Sequence, residues 1–462
     1  MRGTIGLRSA AAVLAVIGVV ATGCGGGSSN KSGSTGGGTP ASGTKGGSIN
    51  VAIVDNPQMK DIAKLTPSLF TAKTGIKVNY TILDETTLRQ VTTRDVAASG
   101  RQFDVAMIGA FEAPQFGTNG NLVDLTPEAQ GDAAYQYNDI LPGVRNALSA
   151  DGKLYAAPFY GESSFLMYRK DVLKAAGVTM PPKPTWDQVA AIARKINKPN
   201  MAGICLRGKP GWGELGATFT TVLNTFGGTW WSAKADGSVD KAMVDQPAFK
   251  QALQFYVNLV KNAGEKDAAS ASFNECLSQY KDGKVAMWYD ATVAAGLLEA
   301  TDSPVKGKNG YALAPVKETP ASGWLWSWAL AIPKTTSKQD IAWKYIAFAT
   351  GPQYLKEAGT RVAGGWAAIP PGTRKSTYEI PQYKKAASAF AGQTLKAMAA
   401  APINNPGTSK RPGFPGVQYV GIPQFQDVGN QCTQQFSAVI AGRSSIDSAL
   451  SNCQQIASQA AH

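Results

Sequence analysis

Apolar residues run through this chain in two rhythms, one of period two and one near 3.6, and they alternate along most of its length. The clearest period-two stretch is 323–333, GWLWSWALAIP, an apolar run bounded by glycine and proline. That spacing predicts a buried strand. Side chains alternate faces along a strand, so Trp324, Trp326 and Trp328 would project to one side as an aromatic wall, with Leu325, Ser327 and Ala329 opposite. Such a wall has two readings. One is that it fills a core, as most tryptophans do. The other is a platform, because indole offers a rigid apolar plane for C–H groups and an N–H for a hydroxyl.

Upstream, the pattern predicts a strand over 49–54, a helix over 66–74 ending at Gly75, a strand over 76–83, a helix over 85–98 closed by Gly100, and a strand over 103–108. A βαβαβ order favours a largely parallel sheet. Ligands in such sheets bind at the carboxyl ends of the strands. Asp55 and Asn56, Asp84 and Glu85, and residues 109–112 each follow a strand directly, so three polar loops would converge on one edge. Further strands are predicted over 154–160 and 165–168. Thr185-Trp186-Asp187-Gln188 has capping-box spacing and opens a helix to Ile196. Asp245 and Pro247 open another, with Phe249, Leu253, Tyr256 and Val260 at helical spacing, and a third over 337–350 is stopped by Gly351-Pro352. The aromatics of these helices are expected in the core. Two polar clusters remain. LRGKPGWGE, 206–214, is a loop carrying Arg207, Lys209, Trp212 and Glu214, and VAMWYDAT, 285–292, is an apolar strand ending in Asp290. A solvated loop and an N-cap or salt-bridge aspartate are the plain alternatives.

The first residues do not belong to the fold. Arg2 and Arg8 precede an apolar run over 10–21 that is too short to span a membrane, which is the order of an export signal. The Ala-Thr-Gly-Cys24 that follows resembles the bacterial lipobox, with Ala21 where leucine is usual, so cleavage after residue 23 and lipidation of Cys24 are expected; an ordinary cleaved signal is the alternative. Residues 24–47 are rich in glycine and serine and form a flexible tether with an r.m.s. span of roughly 25 Å. The folded part starts near Ser48, and the remaining length suits two lobes.

Composition narrows the function. With 17% charged and 44% hydrophobic residues the chain is neither disordered nor a membrane channel. The formal charge is +13, but lysine and arginine are dispersed, so no nucleic-acid partner is expected, and attraction to an anionic cell surface is the simpler reading. Beyond Cys24 there are Cys205, Cys276, Cys432 and Cys453, an even number suited to an oxidising compartment. Four cysteines allow three pairings. The pairs 205–276 and 432–453 are favoured, the second closing a short C-terminal loop. No CxxC pair and no histidine partner suggest a metal, and no cofactor is implied. The only histidine is the last residue, His462, which removes histidine-based catalysis and leaves only carboxylates for an enzyme.

The segments DGKLYAAPFYGESSFLMYRKDVL, LRGKPGWGE, WYDATVAAG, WLWSWALAIP, PPGTRKSTY and GVQYVGIPQFQ, in this order, resemble the extracellular solute-binding proteins of ABC importers, and within them the branch that binds sugar alcohols such as sorbitol, mannitol and xylitol. The resemblance runs from Ser48 to about Leu450. It implies an α/β, two-lobed periplasmic-binding-protein-like (type II) fold with a ligand cleft that closes by a hinge motion. Residues 48–160 with 325–368 would form lobe 1, and 161–324 with 369–462 lobe 2. It implies a monomer that passes a polyol or monosaccharide to membrane permease subunits, anchored by lipid to the outer face of the cytoplasmic membrane. A polyol needs acceptors, donors and an aromatic face. Glu85, Glu112, Glu162 and Asp290 are the candidate acceptors, Asn56, Arg89, Arg207 and Lys209 the donors, and Tyr160, Trp212, Trp326 and Trp328 the walls, with Arg374 a further candidate. The competing classes are a glycosidase using two of Glu112, Glu162 and Asp290, and a surface lipoprotein that docks peptide or glycan without transport.

Overall fold

The computed structural model describes residues 46–461; the leader, the tether, Cys24 and His462 lie outside the described residues. Eight principal strands carry the fold: β1 (Ser48–Val54), β2 (Lys77–Leu83), β3 (Val105–Gly109), β4 (Ala157–Glu162), β5 (Ser164–Arg169), β6 (Met287–Ala291), β7 (Asn309–Leu313) and β8 (Trp326–Ala331). They form two sheets, a five-stranded one in the order β2-β1-β3-β8-β4 and a three-stranded one in the order β6-β5-β7. β1 pairs in parallel with β2 and β3, as a βαβαβ pattern requires, while β8 runs antiparallel between β3 and β4. The smaller sheet is antiparallel throughout.

The chain passes between the sheets where β4 ends at Glu162 and β5 begins at Ser164, and again where it leaves β7 at Leu313 and enters β8 at Trp326. Residues 371–376 return to the larger sheet: Gly161 donates to the Pro371 carbonyl, Leu141 to that of Thr373, and Ser376 is held by Asp139.

Local chemistry explains the helix ends. The first helix starts at Pro57 rather than 66, because proline at the first helical position costs no hydrogen bond. At Pro67 the missing N–H interrupts the ladder, and the five residues Pro67–Thr71 form a π-turn before the helix resumes at Ala72 and ends on Gly75 at φ 72°. Asp84 caps the helix Glu85–Ala97 by accepting from the Thr87 N–H at 3.3 Å, and Ser99, not Gly100, takes the left-handed conformation after it. The capping box of Thr185 and Gln188 closes in both directions. Phe249, Leu253, Tyr256 and Val260 are all buried on Pro247–Ala263. After Gln339–Thr350 a second helix starts at Pro352, so the Gly-Pro pair separates two helices. Cys205 is joined to Cys276 and Cys432 to Cys453. Among the described residues the only group able to offer three metal-ligand atoms is Cys205, Glu265 and Cys276, and two of those are the disulfide. Among the described residues no helix is long and apolar enough to cross a membrane.

Candidate functional site

An aromatic-walled cavity lies at the carboxyl edge of the larger sheet, lined by residues from both sheets. Asn56 follows β1, and Glu85 and Arg89 follow β2 on the first turns of their helix. Tyr160 and Glu162 end β4, and Trp326 and Trp328 open β8. From the other side come Arg207, Trp212 and Gly213 of the 206–214 loop and Phe273 at the start of its helix. Nine of the thirteen candidate binding residues thus line one space.

Two buried guanidinium groups organise it. Arg89 donates through Nη1 to Glu112 Oε1 at 2.5 Å and through Nη2 and Nε to Glu85 Oε1 at 2.8 and 3.2 Å. Its planar head lies over the rings of Trp212, Trp328 and Trp326 at 4.0, 4.5 and 4.8 Å from their centroids. Arg207 forms a two-pronged pair with Asp290, Nη2 to Oδ1 at 2.7 Å and Nε to Oδ2 at 2.8 Å, and its Nη1 donates to the Gly213 carbonyl at 2.9 Å. The second oxygen of Glu85 stands 3.6 Å from Arg207 Nη1, so one carboxylate links the two arginines across the cleft. Burial works against charge on both guanidiniums, but the carboxylates outweigh it and hold their pKa values up.

Close packing at two glycines permits this arrangement. A Cβ on Gly213 would stand 2.0 Å from Glu85 Oε1, and one on Gly109 would stand 1.9 Å from the Trp326 ring. Trp326 and Trp328 meet edge to face at 5.6 Å with an interplanar angle of 85°, and Trp324 meets Tyr289 edge to face at 6.0 Å. All three tryptophans reach the cavity, but as a faceted lining rather than one flat wall. A register shift between Trp328 and Ala329 breaks the strict alternation.

The remaining candidates stand behind or away from the cavity. Glu112 and Asp290 do not line it; each is spent on its arginine, and Asp290 also accepts from Trp288 Nε1 at 3.1 Å and from the Ala291 N–H at 2.7 Å. Lys209 is about a third exposed, 3.8 Å from Asp84 and 3.9 Å from Glu214. Arg374 is a brace elsewhere: it donates to the carbonyls of Thr350 and Gln136 and lies over the Tyr135 ring. It is buried away from the cavity, 3.6 Å from Asp139, and its Nη2 has no hydrogen-bond partner among the described residues. With Glu112 and Asp290 each locked in an ion pair, no two of the three carboxylates proposed for glycoside hydrolysis flank the cavity together.

Several lining atoms have no partner. Among the described residues, Trp212, Trp324 and Trp326 bury an indole N–H, Glu162 a carboxyl oxygen Oε2 and Gln418 an amide oxygen without a hydrogen bond. Burial lifts the Glu162 carboxyl well above its usual range; Arg207 opposes this, while Asp290 and Glu85 add to it. Glu214, 3.3 Å from Arg207, is also pushed up, to about 8, mainly by burial. Gln418 and Glu214 lie in segments quoted above, but neither could be chosen from them. Phe273 carried no sequence signal, because its role depends on the Cys205–Cys276 link that brings its helix to the loop.

Comparison with known proteins fits this geometry. Residues 51–356 match the family model for bacterial extracellular solute-binding proteins. The chain is 39% identical over 415 residues to the mannitol-binding protein of Pseudomonas aeruginosa, covering 88% of this chain and 91% of that one. It is 26% identical over 359 residues to the erythritol/L-threitol-binding protein of Mycolicibacterium smegmatis, covering 72% of each. Among solved structures, the ABC transporter solute-binding protein of Agrobacterium vitis with bound D-mannitol superimposes with a TM-score of 0.85 at 44% identity, covering 89% of this chain and 98% of that one. The named relatives are binding proteins rather than enzymes, and this chain belongs to the bacterial extracellular solute-binding protein family.

Proposed function

We propose that this chain captures an acyclic sugar alcohol, a hexitol of the mannitol type first among them, and delivers it to the permease of an ABC importer. The observation that carries this reading is the set of unpartnered buried polar atoms around an aromatic cavity. Indole N–H groups can donate, and the Gln418 and Glu162 oxygens can accept. A vicinal hydroxyl does both, so a polyol can satisfy all of them at once. The two relatives that bind mannitol, at 39% and 44% identity, favour the same class.

In this reading Asn56, Tyr160, Glu162, Trp212, Trp324 and Trp326 touch the ligand, while Arg89, Glu85, Arg207 and Asp290 fix the walls. Lobe 1 is built on the five-stranded sheet and lobe 2 on the three-stranded one, and closure brings Glu85 to Arg207. Export, lipidation at Cys24 and a monomeric body held outside the cytoplasmic membrane by the Gly/Ser tether complete the proposal. Titration calorimetry of the folded chain with D-mannitol, D-sorbitol, xylitol, ribitol, their parent aldoses and maltose tests it. A hexitol or pentitol should bind at least tenfold more tightly than any aldose or disaccharide. Binding of maltose alone, or of none of these, would overturn it.

A further inference from the structure

Carboxyl groups around the cavity outnumber guanidiniums: Glu85, Glu112, Glu162, Glu214 and Asp290 stand around Arg89 and Arg207, and burial favours the neutral acid at Glu162 and Glu214. The charge of each arginine is already met by carboxylates: Arg89 gives three of its five N–H groups to Glu85 and Glu112, and Arg207 gives up to four of its five to Asp290, the Gly213 carbonyl and Glu214. Lys209 stays at the rim, about a third exposed, beside Asp84 and Glu214. A carboxylate or phosphate on the ligand would therefore face acids with no free cation to meet it.

Glu162 is the carboxyl group left over. It is 5% exposed, lines the cavity, and its Oε2 has no hydrogen-bond partner among the described residues. The charged and titratable groups facing it are Arg207 from the 206–214 loop, Asp290 from β6, Glu85 from the helix after β2, and Tyr160 from its own strand. Arg207 is already held by Asp290 at both ends of a two-pronged pair. A ligand cation placed at Glu162 thus meets an acid that no side chain neutralises fully.

Resting on the polyol reading, we infer that Glu162 makes the cleft a charge selector, so that it accepts polyols bearing a primary ammonium group as a second ligand class and excludes polyols bearing a carboxylate or phosphate. Burial favours the neutral form of Glu162, so a neutral polyol can exchange hydrogen bonds with the acid. An aminated polyol meets it as a carboxylate: the acid proton leaves for solvent, and an ammonium–carboxylate pair takes its place. The aromatic walls suit this as well, since Trp212, Trp326 and Trp328 already shelter one cation, the Arg89 head.

The test keeps stereochemistry constant. D-mannitol, 1-amino-1-deoxy-D-mannitol, D-mannonate and D-mannitol 1-phosphate are titrated into the folded chain at pH 6.5, in buffers of different ionisation enthalpy. The aminated ligand should bind within threefold of D-mannitol or tighter, and should release more protons on binding than D-mannitol does. The two anionic ligands should bind at least a hundredfold more weakly. In Glu162→Gln both D-mannitol and its amine should weaken, but the ratio of their affinities should shift at least tenfold against the amine, and the extra proton release should vanish. Should the variant not fold, the proton release of the wild-type chain decides. An aminated ligand more than a hundredfold weaker than D-mannitol, equal proton release for both, or mannonate binding within tenfold of D-mannitol would overturn the inference while leaving the polyol reading intact. If D-mannitol and the other neutral alditols all fail to bind, it is the polyol reading that falls.

Discussion

Asp290 distinguishes a ligand contact from a support. It is fully buried, and both its oxygens are spent on Arg207, at 2.7 and 2.8 Å, on the Trp288 indole at 3.1 Å and on the Ala291 amide at 2.7 Å. Replacing it by alanine leaves a buried guanidinium with an unpaired charge, and breaking such a pair from one side costs about 3–5 kcal/mol. Replacing both partners, as in Asp290→Ala with Arg207→Met, removes the uncompensated charge together with the pair. The two substitutions should then be non-additive by about 1–3 kcal/mol, with the double variant more stable than the sum of the single ones predicts. Urea unfolding without ligand measures this directly, and calorimetry with D-mannitol, run beside it, should show at least a tenfold loss in Asp290→Ala because Arg207 is freed to move. Additivity within about 0.5 kcal/mol would show that the pair is not a unit. Normal stability with lost affinity would instead make Asp290 a direct ligand contact.

Gly213→Ala should weaken D-mannitol binding at least tenfold, since the added carbon would stand 2.0 Å from Glu85 Oε1 and displace the link between the two arginines; unchanged affinity by calorimetry would remove that link from the site. Trp326→Ala deletes an indole packed on Arg89, Trp212 and Trp328, and should lower the free energy of unfolding by about 3–5 kcal/mol. The Cys432–Cys453 bridge spans a separation of 21 residues, so the Cys432→Ser/Cys453→Ser variant should lose about 3 kcal/mol in denaturant titration. Burial raises Glu265 to about 7. An acid raised on folding contributes stability that is full below its unfolded value, near 4.5, and is lost as pH rises through about 7. Glu265→Gln should therefore match the wild-type chain at pH 4.5 and exceed it by up to about 3 kcal/mol at pH 8, as read from urea midpoints at both pH values.

How far each feature could be read from sequence depended on how local its cause was. The parallel pairing of β1 with β2 and β3 follows from apolar runs separated by helical spacing, and the loops after those strands supply Asn56, Glu85 and Arg89. The Thr185 cap is written within four residues. Roles created by distant partners were not legible. Nothing near Asp290 announces Arg207, 83 residues away, so an aspartate at a strand end was taken for a ligand acceptor. The same holds for Glu112, whose partner Arg89 lies on a different helix. Arg374 sits in a quoted segment, yet its backbone partners at Gln136 and Thr350 lie on another part of the chain. Even the tryptophan run was only half legible: alternation places Trp324, Trp326 and Trp328 at the cavity, but the break after Trp328 and the edge-to-face angles come from packing against Gly109 and Trp212.

The same distinction explains why the site invests so many charges in a cleft proposed for an uncharged ligand. A polyol offers hydroxyls in a fixed stereochemical order, and discriminating among them needs donors and acceptors that do not move. Long, flexible arginine side chains hold position when several N–H groups are bonded at once, and here Glu85, Glu112, Asp290 and the Gly213 carbonyl bond three on each. The groups left to meet the ligand are then the rigid ones: indole N–H atoms on interlocked rings, an amide oxygen and one carboxyl. Because Glu85 reaches from the helix after β2 to Arg207 on the opposite side, the fully bonded network exists only with the two sides together. Rigidity of the binding atoms and closure of the cleft therefore depend on the same contact. Glu85→Gln should accordingly weaken every alditol by a similar factor, whereas substitutions at Trp324 or Gln418 should change the ranking among them; calorimetry across D-mannitol, D-sorbitol and ribitol separates the two patterns, and a changed ranking in Glu85→Gln would refute the division between walls and reading atoms.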